Sequence, residues 1–136
     1  MFSLDHIHNQ LIHFPIGLLS ASVFFDTFGI ISKNEKLHIV SWYTLMLGTI
    51  SAVASVLTGF IEDQTYGHMS DPLPIHETHG SMQIIATIIF TTLLLWRMKF
   101  MVNDSQPPST YIAISALAVI ILFYGSHLGA ILAGLV

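Results

Sequence analysis

Four long apolar segments constrain the fold of this 136-residue chain more than any other feature. A membrane span needs about 20 mostly apolar residues, and such runs cover about 11–31, 37–61, 80–98 and 109–136. Backbone groups inside lipid must be hydrogen-bonded within the protein, so runs this long and this continuous predict helices rather than barrel strands. Mostly short connections place successive helices antiparallel. The sequence therefore predicts an all-α fold with one domain over 1–136, an integral membrane four-helix bundle of up-down-up-down topology.

The basic residues predict how this bundle is oriented. Lys33 and Lys36 lie between the first two runs, and Arg97 and Lys99 lie at the boundary between the third run and the segment that follows it, so we assign all four to two predicted loops. Lys and Arg near the ends of spans stay in the cytoplasm. We therefore expect both termini and the 62–78 loop outside, in a multi-pass protein of the bacterial inner membrane with its termini on the periplasmic side.

Composition excludes several classes of protein. Charged residues make up 9% of the chain, against about 25% in a typical soluble domain. The net charge is −4, which argues against nucleic acid as a partner. There is no cysteine, which excludes disulfides, iron–sulfur clusters, thiolate zinc sites and covalently attached c-type haem.

Histidines are concentrated on the predicted outer side. His38 alone is expected inside; the other seven are His6, His8, His13, His68, His76, His79 and His127. Helical rise places His79 and His127 at one depth, with His13 near the outer end of the first helix. Glu62 ends the second helix at that level. Three helices thus present imidazoles at one level, and the remaining helix presents a carboxylate.

Three interpretations of these imidazoles and this carboxylate at one depth remain open. A b-type haem needs one or two neutral imidazoles and room for a flat ring. A bare zinc, iron or copper ion would use imidazoles with Glu62, Asp63 or Glu77. For each histidine taken alone, a hydrogen-bonded residue at the membrane interface is the simpler interpretation.

Small residues line one face of the second helix, at Gly48, Ala52, Ser55 and Gly59. Such a face either lets helices pack closely in lipid or forms a flat wall for a planar cofactor. Gly17 in the first helix and Gly125 beside His127 extend the pattern. The candidate cofactor-lining residues are therefore Gly17, Gly59, Glu62 and Gly125.

Asp26 lies inside the first span, where an acid is a functional candidate by default. It is five residues from the inner end of that predicted span. We therefore expect it to reach interfacial water or to cap a neighbouring helix.

Five segments together resemble a known family. The run His-Asn-Gln-Leu-Ile-His-Phe-Pro-Ile-Gly at residues 8–17 is similar to the His-x-x-x-(Leu/Val)-His-Phe-Pro signature of the small bacterial membrane proteins grouped as domain of unknown function 2231. Further similarities to that family are the Phe25-Asp26 pair, the Thr-Gly-Phe-Ile-Glu-Asp run at 58–63, His79 at the head of the third helix, and the Gly-Ser-His-Leu-Gly-Ala run at 125–130. This chain lacks the proline that usually follows the first histidine of the signature. The resemblance implies that His8, His13, His79 and His127 are the histidines of interest, and its members often occur with redox components.

We therefore expect a b-type cytochrome-like electron-transfer subunit with non-covalent haem near the outer face. His13 and His79, on diagonal helices, are the expected axial ligands. His127 either packs beside the ring or, with His8, holds a second haem. The alternatives are a cofactor-free structural subunit of a larger membrane complex and a metal-binding membrane protein. No catalytic residue is predicted, and the expected partners are lipid, a larger redox complex or further copies of the chain.

Overall fold

The computed structural model describes residues 10–66, 74–102, 106–132 and 134, with the backbone alone at 62–66, 100–102 and 132. Within these residues the chain forms four α-helices and no strand, which confirms the predicted all-α fold. The helices are α1 (His13–Ser32), α2 (Glu35–Tyr66), α3 (His79–Val102) and α4 (Ser109–Leu132). A short 3₁₀ turn, Ile75–Glu77, precedes α3. The helix α2 runs past its predicted end at residue 61, and α3 runs past residue 98.

Every helix contains a segment long and apolar enough to cross a membrane. These segments are His13–Ser32, Glu35–Ile61, His79–Lys99 and Ser109–Ile131. Large apolar side chains face outward along them, including Phe24 and Phe28, whose rings stack at 5.8 Å on α1. An apolar exterior of this kind is what lipid requires. The protein is therefore a multi-pass membrane protein.

Helices that follow one another in sequence pack against one another in space. α1 packs on α2, α2 on α3 and α3 on α4, and α4 returns to pack on α1. This ring of neighbours confirms the up-down-up-down bundle. One end carries Lys33, Lys36 and Lys99 and is called the basic end here; the other carries His13, His79 and His127 and is called the histidine end. Which end faces the cytoplasm stays a prediction.

Local signals set the helix boundaries at the basic end. α1 ends where Lys33 adopts a left-handed conformation, with a φ of 52°, and the amide of Asn34 then donates to the carbonyl of Gly29. The side chain of Asn34 accepts from the amide of Lys36 in the first turn of α2. Residues Pro107 and Pro108 precede α4, as expected for residues that cannot continue a helix. The connection between α1 and α2 is therefore only two residues long.

A layer of large apolar side chains closes the middle of the bundle. Leu19, Leu45, Phe90, Leu93 and Leu122 are all at most 2% exposed. At Gly48 a Cβ atom would come within 2.8 Å of the side chain of Leu19. This glycine is thus used for close packing of α2 on α1, the simpler of the two interpretations of the small-residue face.

Candidate functional site

Charged and polar groups from all four helices meet inside the basic end. Asp26 of α1 and Arg97 of α3 are each 1% exposed, and Arg97 Nη2 donates to Asp26 Oδ1 at 2.8 Å. His38 of α2 approaches the same oxygen through Nδ1, also at 2.8 Å. The guanidinium carbon of Arg97 lies 5.5 Å from the ring centroid of Tyr111 on α4, close enough for a cation–π contact. These four residues form the Asp26 cluster.

Helical periodicity carries Asp26 into the bundle. The buried residues of α1 are Pro15, Leu19, Ser22, Asp26 and Gly29. Their spacing of four, three, four and three residues is that of one helix face. Because Leu19 and Gly29 on that face pack against α2, Asp26 between them is buried as well.

The expectation that Asp26 reaches interfacial water or caps a helix is therefore wrong. The carboxylate is enclosed, and a cation from the diagonally opposite helix neutralises it. A buried charge is tolerated when it is paired and hydrogen-bonded. The placement of Arg97 in a loop is wrong for the same reason: it lies within α3, where Asp26 makes its burial possible.

Arg97 also joins two helices at once. Its Nη2 donates to the backbone carbonyl of His38 at 3.2 Å, in addition to Asp26. That carbonyl belongs to the first turn of α2, where carbonyl groups already accept hydrogen bonds from the next turn of the helix. Arg97 therefore supplies a second donor to it. The guanidinium thereby links α3 to both α1 and α2.

Some donors and acceptors of the Asp26 cluster have no hydrogen-bond partner among the described residues. These buried atoms are His38 Nε2, Arg97 Nε and Arg97 Nη1. Buried polar atoms in proteins are nearly always satisfied by protein or by ordered water. The cluster therefore has spare capacity to bind water or a proton.

A pair of serines lies one turn deeper than the Asp26 cluster. Ser41 Oγ donates to the backbone carbonyl of Ser22 at 2.9 Å. Its oxygen lies 3.1 Å from Ser22 Oγ, which leaves Ser22 as the donor between the two hydroxyls. Beyond them lie Leu19 and Leu45, both buried. The polar region thus stops at the apolar layer in the middle of the bundle.

At the histidine end, one imidazole is held by a backbone carbonyl. His79 Nδ1 lies 2.6 Å from the carbonyl oxygen of Gly125 on α4. A carbonyl oxygen can only accept, so Nδ1 carries the hydrogen, and in the neutral ring the lone pair is then on Nε2. At Gly129 a Cβ atom would lie 2.7 Å from His79 Nδ1. The ring therefore fits because residue 129 is glycine.

A second polar contact joins the same two helices one turn further along. Gln83 Nε2 donates to Ser126 Oγ at 3.1 Å, and Ser126 Oγ donates in turn to the carbonyl of Leu122. At Gly125 a Cβ atom would lie 2.9 Å from Met82 Cβ. Gly125 thus serves the packing of α3 on α4.

The predicted site residues differ in how deeply they are buried, and some lie outside the described part of the chain. His13 and His127 are exposed and His79 is half-buried; His8 lies outside the described residues, as does the side chain of Glu62. Gly59 is half-buried on α2. Gly17 is exposed, and no described atom lies within 4 Å of the position its Cβ would take. Within the described part of the chain, no group of three or more His, Asp or Glu residues is arranged to hold a metal ion.

Sequence reasoning missed the Asp26 cluster although one signal was present. An acid inside a span requires a cation at the same depth. Asp26 lies six residues before the end of α1, and Arg97 lies five residues before the end of α3. The two helices end on the same side of the bundle, so their depths match.

The fold and these contacts define a small multi-pass membrane protein with a buried charge pair at one end and a tethered imidazole at the other. The chain belongs to the family described as Predicted membrane protein (DUF2231), whose model matches residues 5–134. No curated protein and no solved structure matches it.

Proposed function

We propose that this protein is a four-span subunit of a membrane electron-transfer assembly that holds a non-covalent b-type haem at its histidine end. One observation supports this proposal, the 2.6 Å contact between His79 Nδ1 and the carbonyl of Gly125. Imidazoles that bind metals commonly donate their other N–H to a backbone carbonyl or a carboxylate, which sets the ring orientation and raises the basicity of the ligating nitrogen. His79 has this arrangement, with Nε2 left as the ligating atom.

At this end of the bundle, His79 could hold a haem iron directly. His79 offers a neutral nitrogen, and a bound haem would supply one-electron chemistry. Gly48 and Gly125 do not offer flat walls for a ring, because side chains of neighbouring helices already fill both positions. A haem would therefore lie beside His79 rather than against those glycines.

The second ligand remains a proposal. His13 begins α1 at the same end of the bundle, which supports the pairing of His13 with His79. His127 either packs beside the ring or, with His8, holds a second haem. The exposure of His13 and His127 also suits a haem held at the edge of the bundle, where another subunit covers it.

A cofactor-free accessory subunit is the second candidate. The observation that favours it is the close contact of α3 with α4, in which His79, Met82 and Gln83 fill the space beside glycines. In that case the hydrogen bond of His79 serves only to join two helices. A bare zinc, iron or copper ion is the remaining alternative.

An optical spectrum of protein purified in mild detergent tests these candidates. We expect a coloured preparation with a b-type reduced-minus-oxidised spectrum. His79→Ala should remove the haem or convert it to the high-spin form. His76→Ala is the matched control, since His76 is exposed three residues earlier in the 3₁₀ turn. His38→Ala, at the other end, should also leave the spectrum unchanged.

Other outcomes of the same experiment would overturn the haem proposal. A colourless preparation with one equivalent of zinc, iron or copper would support the bare-metal alternative. A preparation with neither colour nor metal would support the accessory subunit. Low-spin haem retained in His79→Ala would exclude His79 as a ligand.

A further inference from the structure

We propose that His38 is a proton-binding site at the basic end of the bundle, and that binding the proton opens the packing of α1 on α2 there. The proton comes from water on that side and forms an N–H bond at Nε2. This site lies at the opposite end from His79, so it does not depend on the haem proposal.

The hydrogen bond to Asp26 determines which nitrogen of His38 accepts the proton. Asp26 Oδ1 accepts from Arg97 Nη2 at 2.8 Å, so the carboxylate forms an ion pair with this guanidinium. An ionised carboxylate only accepts, so the imidazole Nδ1 at 2.8 Å carries its hydrogen and donates. The neutral ring therefore has its lone pair on Nε2, which has no partner among the described residues.

The position of His38 brings Nε2 close to the end of the bundle. His38 lies in the first turn of α2 and is 8% exposed. The Cε1–Nε2 edge of its ring covers Gly29, where a Cβ atom would come within 3.0 Å of Cε1 and 3.2 Å of Nε2. Only the short connection between α1 and α2 follows. A small movement of that connection gives water access to Nε2.

Charge explains why proton binding would open this packing. With neutral His38, the charges of Asp26 and Arg97 balance. Among the residues that the structure describes, the charged or titratable groups that face His38 are Asp26 from α1 and Arg97 from α3, with Tyr111 of α4 against the far side of Arg97. A proton on Nε2 places a second cation beside Arg97 and adds a buried N–H donor without an acceptor. Asp26 then balances only one of two cations, and an uncompensated buried charge is strongly unfavourable, so hydration of Nε2 and loss of the contact with Gly29 follow.

The opening remains local because the apolar layer limits it. From the cluster the polar region continues inward to Ser22 and Ser41, and on α4 to Ser115, which is 2% exposed. Leu19 and Leu45, both buried, lie beyond that pair. The proton is therefore taken up and released at the basic end.

Nitrogen NMR of the ¹⁵N-histidine-labelled full chain in lipid bilayers tests the protonation step. The His38 signals are identified by their loss in His38→Gln. At about pH 8 we expect a protonated Nδ1 and an unprotonated Nε2, and on lowering the pH to about 5, the range in which histidines change charge, Nε2 should gain a proton. A neutral ring protonated on Nε2 instead, or no protonation by about pH 5, would overturn the proposal.

Cysteine labelling tests the opening. The chain has no cysteine, so Ser22→Cys introduces a single buried thiol beside the cluster. Its labelling rate is compared with that of Ser22→Cys/His38→Gln at each pH, which cancels the pH dependence of the thiol itself. We expect equal rates at high pH and a rate roughly tenfold higher with His38 present at low pH, as expected for local opening.

A matched position separates local opening from general loosening. Ala118→Cys lies in the apolar core of α4, where Ala118 is 0% exposed, and its labelling should not depend on His38 at any pH. Equal rates for the two Ser22→Cys proteins at low pH would overturn the proposal even if Nε2 is protonated. Increased labelling at both Ser22→Cys and Ala118→Cys would also overturn it, since the whole bundle would then have loosened.

Discussion

At the scale of single residues, the stability of the basic end depends on a buried charge pair. Neither residue of the pair can be removed alone without loss of stability. Asp26 and Arg97 are each 1% exposed, and removing one partner of such a pair leaves an unbalanced buried charge. Replacing both partners by apolar residues avoids that penalty. The two residues should therefore show strong coupling in stability measurements.

Asp26→Leu alone should lower the free energy of unfolding by about 3–5 kcal/mol, because Arg97 stays charged and buried. Asp26→Leu/Arg97→Met should recover a large part of that loss. The unfolding midpoints of both variants are measured in mixed detergent. The single variant Arg97→Met completes the double-mutant cycle. Equal destabilisation in the Asp26→Leu protein and the double variant would contradict a direct pairing.

Gly29→Ala tests the fit of His38 against α1. The new Cβ would lie 3.0 Å from His38 Cε1, so the ring must shift from the position in which it contacts Asp26, at a cost of about 1–3 kcal/mol. Gly17→Ala is the matched control on the same helix, because its Cβ meets no described atom within 4 Å. The unfolding midpoint should fall in Gly29→Ala and stay level or rise in Gly17→Ala. A similar change in both would show that helix propensity, rather than contact with His38, decides the effect.

At the scale of helices, α3 and α4 are joined by polar contacts that need glycine on the α4 side. His79 contacts Gly125 and Gly129, and Gln83 contacts Ser126. In lipid, small residues let helices approach closely, and hydrogen bonds between helices add about 1 kcal/mol or less each. The packing of these two helices therefore determines how His79 is oriented.

Gly129→Ala should displace the ring of His79. Its Cβ would lie 2.7 Å from His79 Nδ1, so the hydrogen bond to Gly125 should be lost. We expect a lower unfolding midpoint and, if His79 binds haem, a reduced haem content or a shift to high spin. Gly17→Ala should leave the midpoint level or raise it, and His76→Ala should leave the spectrum unchanged. An unchanged spectrum and midpoint in Gly129→Ala would mean that the ring does not lie against this glycine.

At the scale of the whole molecule, the burial of Arg97 changes the argument about orientation. Arg97 is neutralised by Asp26 within α3, so the positive charges that remain on the surface of the basic end are Lys33, Lys36 and Lys99. These three are exposed, and exposed lysines near span ends are the ones that orient a bundle. An orientation experiment should therefore change the lysines and leave Arg97 in place.

A reporter that is active only outside the cytoplasm, fused after Val136, should be active in the parent chain. Substituting Lys33, Lys36 and Lys99 by Gln should reduce that activity and yield mixed insertion. The same three positions changed to Arg keep the charge and should keep the activity. Activity of a cytoplasm-only reporter after Val136 in the parent chain would place the basic end outside.

The sequence by itself determined the four spans and their antiparallel order. Long apolar runs must form helices in lipid, where no water satisfies the backbone, and the short connections between most of the runs make successive helices antiparallel neighbours. It also identified Asp26 as unusual and His79 as a residue of interest. These inferences need only local composition and spacing.

Only the tertiary structure decided which polar groups meet. Asp26 and Arg97 are 71 residues apart, and the sequence distinguished His38 only as the one histidine expected on the inner side. The identity of the partners depends on the rotation of each helix about its axis, which follows from packing such as that of Leu19 against Gly48. That packing turns Asp26, His38 and Arg97 inward, whereas it leaves His13 and His127 exposed, because a helix can bury only the face that its neighbours cover.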